Sequence, residues 1–256
     1  MFKKSFKGLF IILIVLVLWQ LGSHFKFINS FIMPAPSEII KSFFSMLLKG
    51  PLLIDIYSSI KRVFVGFGCA FPVAVLLGMV LGWNKQLAQY FLPTIEFIRP
   101  IPPIAWIPLA ILWFGVSDVS SYFITALASF FPIFINSFVG AESVEKVHIN
   151  AALSLGASKK LIITDIIFPS ALPSILAGMR IGLGVAWMSV IAAELIAAQS
   201  GLGYMIQLHR MLLNTPKVIA GMVAIGIIGF LMNLFILYLE SKLTPWMNFK
   251  YRCCQK

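Results

Sequence analysis

The sequence predicts an all-α, polytopic membrane protein with six transmembrane helices and one long cytoplasmic loop. Hydrophobic residues make up 60% of the chain and charged residues only 11%, whereas soluble domains carry about 25% charged residues. Long apolar runs recur along the chain, and the mean hydropathy is +0.96. A net charge of +11 would suggest nucleic-acid binding in a soluble protein. Here the cations flank apolar runs as the positive-inside rule describes, so we expect lipid and no nucleic acid as the surroundings.

The first predicted span, residues 9–21, follows Lys3, Lys4 and Lys7. Its charged start and short apolar core also fit a signal peptide. No small-x-small cleavage site follows, and Trp19 suits an anchor at the membrane interface, so we favour a retained span. The other five spans are predicted at residues 63–83, 101–116, 122–140, 173–198 and 218–239.

Three regions follow from this division of the chain. Residues 1–62 form an N-terminal transmembrane helix and an external amphipathic segment, in which Ser37 is predicted to cap a short helix over 38–48. Residues 63–240 form a transmembrane domain that contains the loop 141–172. Residues 241–256 are a basic tail.

The third span is rich in proline. Five prolines occur from Pro93 to Pro108, which makes a straight, regular helix unfavourable. Broken backbone at membrane depth is tolerated only where protein or a water-filled cavity receives it. We therefore expect this span to face the interior of the bundle, with Pro103 and Trp106 as candidates for lining a pathway. Glu96 and Arg99 are spaced to pair across one helical turn.

Two charged residues fall in the fifth predicted span, Arg180 near its start and Glu194 near its end. Either both extend to the membrane interfaces or both face a pathway, because charges inside a membrane are costly without a role. Counting Lys and Arg on the two sides favours both termini in the cytoplasm, together with the loop 141–172. The three cysteines, two of them adjacent at Cys253 and Cys254, form no disulfide framework and no metal site.

The stretch Asn150–Pro169 is too polar to be a span, and its pattern predicts two short helices with a break between them. An apolar stripe at helical spacing precedes the break, and it contains Val147, Ala151 and Leu155. Gly156 is predicted to end the first helix in a left-handed conformation, and Ser158 to cap the second. Two helices joined by a glycine between spans indicate a docking surface.

This stretch resembles a loop in the permease subunits of binding-protein-dependent ABC importers. Those proteins carry Glu-Ala-Ala, then Gly, then Ile-x-Leu-Pro, and this chain has Asn150-Ala-Ala, Gly156, Ile166 and Phe168-Pro at the same spacing. Asn150 replaces the acidic residue and Phe168 replaces leucine. The resemblance implies a cytoplasmic coupling loop of the type I importer kind that contacts an ATPase through Asn150, Ala151, Ala152, Gly156, Ser158, Lys159, Ile166 and Pro169.

The resemblance extends over about residues 30 to 240 and is strongest to the permeases of nitrate, sulfonate and taurine importers. It is carried by Pro34-Ala-Pro-Ser-Glu, Ser59-x-x-Arg-x-x-x-Gly, the run 99–109 and Glu194 with the following Gly-Leu-Gly-Tyr. It implies a homodimer in the bacterial inner membrane, cytoplasmic ABC ATPase subunits, and an external solute-binding protein or lipoprotein. The resemblance also implies that ATP binds the partner ATPase. Consistently, the chain has no GxxxxGK[ST] loop, and we predict no cofactor in this chain.

The solute implied by the resemblance is a small anion such as an aliphatic sulfonate, taurine or nitrate. The alternative within the same role is a pyrimidine of the thiamine-precursor type. An intramembrane enzyme is disfavoured because the spans contain no Ser/His pair and no paired aspartates, so we predict no catalytic residues. A secondary transporter would show internal repeats with paired broken helices, and only one such segment is present.

Overall fold

A computed structural model describes residues 2–25 and 32–245, and all regular secondary structure in these ranges is helical. The helices are α1 (Phe2–His24), α2 (Pro36–Lys49), α3 (Leu52–Trp83), α4 (Lys85–Ile98), α5 (Ile107–Phe114), α6 (Asp118–Glu142), α7 (Lys146–Ser154), α8 (Lys159–Ile162), α9 (Phe168–Ala197), α10 (Leu202–Met211) and α11 (Thr215–Leu243). A 3₁₀ turn (Pro103–Trp106) precedes α5, and a π-helical turn (Ile163–Ile167) joins α8 to α9.

Four of the described helical segments are long and apolar enough to cross a membrane, namely α3, α6, Lys160–Ala197 and α11. A fifth span results if α4 and the segment Pro103–Phe114 are counted together, and these two are bent by 82°. The predicted break in the proline-rich segment is thus confirmed, whereas the third span over 101–116 stays a prediction. In α1 the apolar part Leu13–Ser23 is shorter, so the count of six spans stays a prediction.

The centre of the bundle is the packing of α3, α6 and α9. A side chain at Gly78 of α3 would place its Cβ 2.7 Å from the carbonyl oxygen of Phe134 in α6, so this contact requires glycine. Buried hydroxyls in α6 donate to carbonyls of their own helix: Thr125 Oγ1 lies 2.7 Å from Ser121 O, and Ser137 Oγ lies 2.7 Å from Ile133 O. These bonds satisfy polar groups in an apolar interior.

The second predicted span began too late. α3 starts at Leu52, so the proposed boundary at residue 62 falls inside this helix. No proline or glycine interrupts residues 52–65, and the polar side chains of Asp55, Ser59 and Arg62 are all buried with partners, which removes the reason for the helix to end there. Polarity alone was therefore a poor guide to the span's limit.

Two other boundaries also differ from the sequence prediction. Residues 84–100, which lie between two predicted spans and were expected as a loop, contain α4 (Lys85–Ile98). Asn84 Oδ1 caps this helix by accepting from the N–H groups of Gln86 and Leu87 at 3.1 and 3.2 Å. α2 starts at Pro36 with Ala35 at its N-cap, so Ser37 is not the cap. Instead, the N–H of Ser37 donates to Gln20 Oε1 of α1 at 3.2 Å.

The second short helix of the loop does not end at Phe168-Pro169. It continues through the π turn into α9, so the fifth span begins earlier than the predicted residue 173. Pro169 follows the π turn directly, so the missing N–H of proline falls where the regular α-helical hydrogen-bond pattern is already interrupted. Pro173 lies inside the helix instead of at its start.

Candidate functional site

The break between α7 and α8 has the geometry of a glycine C-cap. Gly156 has a positive φ of 79°, as the sequence predicted. The N–H of Ala157 donates to Ala152 O at 3.0 Å, and the N–H of Gly156 donates to Leu153 O at 3.0 Å. These two bonds define a Schellman motif, which satisfies the last carbonyls of α7 and turns the chain sharply.

The start of α8 also follows the prediction. The N–H of Leu161 donates to Ser158 Oγ at 3.3 Å, so Ser158 caps the second short helix. Further along, Ile166 and Pro169 are half-buried. The backbone of Lys159 opens α8, but its side chain lies outside what the structure describes.

The exposed side of α7 forms a surface that we call the docking face: Val147, Asn150, Ala151 and Leu155. Val147 is 71% exposed and Leu155 is 89% exposed, and Asn150 and Ala151 are exposed as well. Ala152 differs, because it is half-buried and packs against the core of this chain. The sequence interpretation gave Ala151 and Ala152 the same role, whereas the structure leaves only Ala151 open to a partner.

A second site is a cluster of polar residues, most of them buried, where α3, α6 and α9 meet the segment 198–203. The polar cluster consists of Asp55, Ser59, Arg62, Asp118, Glu194 and Ser200.

Glu194 is the centre of the polar cluster and is 1% exposed. Its carboxylate accepts from Arg62 Nη1 at 2.8 Å, from the hydroxyl of Ser59 at 2.8 Å and from the N–H of Gly203 at 3.0 Å. Gly201 has a positive φ of 107°, and a Cβ there would overlap this carboxylate. A glycine is therefore required beside the buried acid.

The guanidinium of Arg62 bridges the rest of the cluster. Its Nη2 lies 2.6 Å from Asp118 Oδ1, and Nη1 donates to the carbonyl of Ser200 at 2.6 Å. Asp55 accepts from the N–H of Gly201 at 2.9 Å. One end of each of α3, α6 and α9 is thus fixed to the segment that leads into α10.

The third site is a cavity of about 280 Å³ between the proline-rich segment and the middle of α6 and α9. Pro103 lines it and Trp106 does not, and the pathway role of both residues stays a prediction. Trp106 is half-buried and packs beside Ile107 and Ala110, and its indole nitrogen has no hydrogen-bond partner among the described residues. The lining residues are Arg99, Ile101, Pro103, Leu127, Ala128, Phe131, Pro132, Ile135, Asn136, Ile181 and Val185.

Neither charged residue of the fifth span lines this cavity. Glu194 belongs to the polar cluster, and Arg180 lies 3.4 Å from Glu240 of α11 with 41% of its side chain exposed. Glu194 therefore forms a buried ion pair, and it neither extends to a membrane interface nor lines this cavity. The predicted pairing of Glu96 with Arg99 is absent from the ion pairs within residues 2–25 and 32–245.

Sequence reasoning missed the roles of Asp55, Ser59 and Arg62. Their spacing of four and three residues puts them on one face of a helix, and this pattern was available once the helix was extended back to residue 52. Arg99 was noted only as a pairing partner and not as a residue of a cavity.

A helical bundle around a cavity, with a broken span and a two-helix loop at the ends of the spans, is the arrangement of a membrane transport subunit. The chain belongs to the family of binding-protein-dependent transport system inner membrane components, whose family model matches residues 71–248. It is accordingly a multi-pass membrane permease of an ABC importer, a class that works with ATPase and solute-binding partners.

Several relatives are similar over most of their length. The chain is 35% identical to the putative aliphatic sulfonates transport permease protein SsuC of Bacillus subtilis, covering 94% of this chain and 88% of that protein. It is 35% identical to the taurine transport system permease protein TauC of Escherichia coli, covering 91% and 86%. It is 32% identical to the nitrate import permease protein NrtB of Synechocystis sp., covering 91% and 87%.

A solved structure shares the fold. One chain of the MetNI methionine ABC transporter in an inward-facing conformation superposes with a TM-score of 0.67 at 17% identity, covering 75% of this chain and 96% of that chain. This likeness supports the helical architecture of the permease core.

Proposed function

We propose that this chain moves a small anionic solute across the membrane, driven by ATP hydrolysis on a separate ATPase subunit. The observation that carries the coupling is the docking face, where Val147 and Leu155 are 71% and 89% exposed. Apolar side chains left this open on a rigidly capped loop gain stability when a partner covers them. The loop lies at the ends of α6 and α9, so a push on it acts directly on two helices that line the cavity.

The solute class rests on the relatives. Proteins named for aliphatic sulfonates, taurine and nitrate are 32–35% identical over at least 91% of this chain. The solutes in these names carry sulfonate or nitrate groups. Import of a thiamine-precursor pyrimidine is the alternative solute for the same machinery, and the cofactor requirement is ATP on the partner alone.

The proposal is tested by uptake in a strain that lacks the gene for this chain. Radiolabelled taurine, butanesulfonate, nitrate and hydroxymethylpyrimidine are offered separately, and the gene is then restored. We expect butanesulfonate, nitrate or taurine, whose sulfonate is its anionic group, to enter only when the chain is present, and uptake to cease when the ATPase partner is made unable to hydrolyse ATP. Restored uptake of the pyrimidine alone, or anion uptake that persists without ATP hydrolysis, would contradict the proposal.

The proposed assembly is a homodimer of this chain with two ATPase subunits and an external solute-binding protein. The sequence shows one docking loop and no internal duplication, so two copies are needed to engage an ATPase dimer. The mass of the purified detergent-solubilised complex measures this directly. A mass that fits one permease with two ATPases is the contrary result.

A further inference from the structure

Arg99 stands at the bend between α4 and the 3₁₀ turn, and its side chain lines the cavity of about 280 Å³. The opposite walls come from the middle of α6, at Leu127 and Phe131, and from the middle of α9, at Ile181. The cavity therefore lies beside the middle of two spans, and Arg99, whose side chain is exposed, brings a permanent positive charge to it.

Among the described residues, no carboxylate forms an ion pair with Arg99. The ion pairs among residues 2–25 and 32–245 involve Arg62, His148 and Arg180 but not Arg99. Arg180, which lies on one of the cavity-lining helices, has Glu240 as its partner at 3.4 Å. An exposed guanidinium at a largely apolar cavity, without an ion-pair partner among the described residues, attracts anions into that cavity.

Asn136 supplies a second polar group to the same cavity. Its amide nitrogen donates to Pro132 O at 2.8 Å, which fixes the orientation of the side chain and leaves its other N–H as a donor. The remaining walls are apolar, and they include Ile101, Phe131 and Val185. A bare inorganic anion would leave these apolar surfaces without contacts, whereas a short hydrocarbon chain would cover them.

We propose that Arg99 and Asn136 bind the anionic head group of a small organic acid, a sulfonate or a carboxylate, whose hydrocarbon part contacts the apolar walls. This inference rests on the proposed transport function and narrows its solute class from anions in general to organic anions with a short apolar part. The cavity is near the lower limit of about 300 Å³ for ligand pockets, which restricts the ligand to a few carbon atoms. The planar guanidinium suits a head group with two or three oxygens.

The test uses thiol labelling, because it reports on the cavity without requiring transport. Cys69, Cys253 and Cys254 are replaced by serine, and Ile181→Cys places one thiol in the cavity, at a position where the native side chain is 49% exposed. The purified permease–ATPase complex is treated with sulfonatoethyl methanethiosulfonate, which is itself a small organic sulfonate, or with the cationic trimethylammonioethyl reagent. We expect the anionic reagent to react about tenfold faster, because a fixed cation concentrates anions in a low-dielectric cavity.

Variants of Arg99 decide whether this preference comes from its charge. Arg99→Gln should remove the preference, Arg99→Glu should reverse it, and Arg99→Lys should keep most of it. The matched control is Lys85→Gln, which removes an exposed cation at the other end of α4 and should leave the labelling rates unchanged. An anionic preference that survives in Arg99→Gln would overturn the proposal.

Competition identifies the ligand class. Butanesulfonate should slow labelling of the thiol at position 181, and nitrate at the same concentration should have little effect. Equal protection by nitrate would refute the organic-anion assignment. If labelling depends on Arg99 but the complete transporter imports no anion in cells, the anion site stands and the proposed transport function fails, so the two failures are distinguishable.

Discussion

Arg62 Nη1 donates to Glu194 Oε1 at 2.8 Å, and the two side chains are only 4% and 0% exposed. The residues lie 132 positions apart in the chain, one near the start of α3 and one near the end of α9. With Asp118 as the second acceptor for the guanidinium, this pair connects three spans at one end of the bundle. Since every charged group of the pair has a partner, the cluster explains how a carboxylate is tolerated inside the protein.

Removal of Glu194 should destabilise the fold strongly. Glu194→Ala leaves Arg62 with one carboxylate fewer and leaves the hydroxyl of Ser59 and the N–H of Gly203 without their acceptor. Breaking a buried ion pair on one side costs about 3–5 kcal/mol, so we expect low levels in the membrane and a lower unfolding temperature in detergent. Replacing both members, as Arg62→Met with Glu194→Leu, should recover part of the loss.

The pair between Arg180 and Glu240 provides the control for this prediction. It is longer, at 3.4 Å, and its side chains are 41% and 26% exposed. Partly exposed pairs contribute up to about 1 kcal/mol, so Glu240→Ala should have a small effect. Equal unfolding temperatures for Glu194→Ala and Glu240→Ala would show that the polar cluster has no special importance for stability.

The sequence predicted the features that depend on neighbouring residues. The prolines around Pro103 predicted a broken span, and Gly156 and Ser158 predicted a helix–turn–helix, because caps and breaks are determined within a few residues. The ion pair of Glu194 could not be predicted from neighbouring residues, since its partner Arg62 lies on a helix that is distant in sequence. The extent of α3 was underestimated for the same reason, because its polar residues are buried by contacts that only the folded chain brings together.

The proposed orientation predicts which residues are accessible from outside the cell. Val116, 55% exposed, lies in the short connection before α6, and Lys160 is exposed at the start of α8, at the opposite end of the adjoining spans. In a cysteine-free background, Val116→Cys should react with a membrane-impermeant maleimide in intact cells, and Lys160→Cys only after permeabilisation. Ser120 is close by but buried, so it is unsuitable for labelling. Reaction of Lys160→Cys in intact cells would show that the orientation is the opposite of the one proposed.

His209 on α10 predicts an acid sensitivity of the fold. Burial lowers the pKa of His209, and the nearby positive charge of Lys217 lowers this pKa further. Its Nδ1 is buried and lacks a partner among the described residues. The folded state therefore favours the neutral ring, whereas the unfolded chain takes up a proton near the ordinary value of about 6.5. The contribution of His209 to the free energy of unfolding is therefore fully present above a pH of about 6.5, the ordinary histidine value. It is lost as the pH falls below that value.

The variant His209→Gln should flatten this dependence. Unfolding temperatures of the purified protein are compared at neutral pH and at about one unit below the ordinary histidine pKa. The wild type should lose more stability over this interval than His209→Gln. His148→Gln is the control, since His148 is exposed on α7. An unchanged slope in His209→Gln would rule out His209 as the source of the acid sensitivity.

The docking face predicts variants that separate coupling from folding. Leu155 is 89% exposed and makes few contacts within the chain, so Leu155→Glu should not disturb the fold. If the ATPase covers this side chain, a buried unpaired charge at the contact should weaken the complex by several kcal/mol. Gly156→Val acts differently, because a β-branched residue is strained at a φ of 79° and would alter the direction in which α8 leaves the turn.

Both variants should reach the membrane at normal levels, recover little ATPase in a pull-down and support little uptake. Thr164→Val is the matched control, since this exposed side chain lies in the π turn outside the docking face. Ala152→Glu is a poorer choice than Leu155→Glu, because Ala152 packs against this chain's own core. A glutamate there could disturb the fold, and a loss of uptake would then not distinguish misfolding from uncoupling. Normal ATPase recovery together with normal uptake in both Leu155→Glu and Gly156→Val would refute the coupling role of the loop, whatever solute the permease carries.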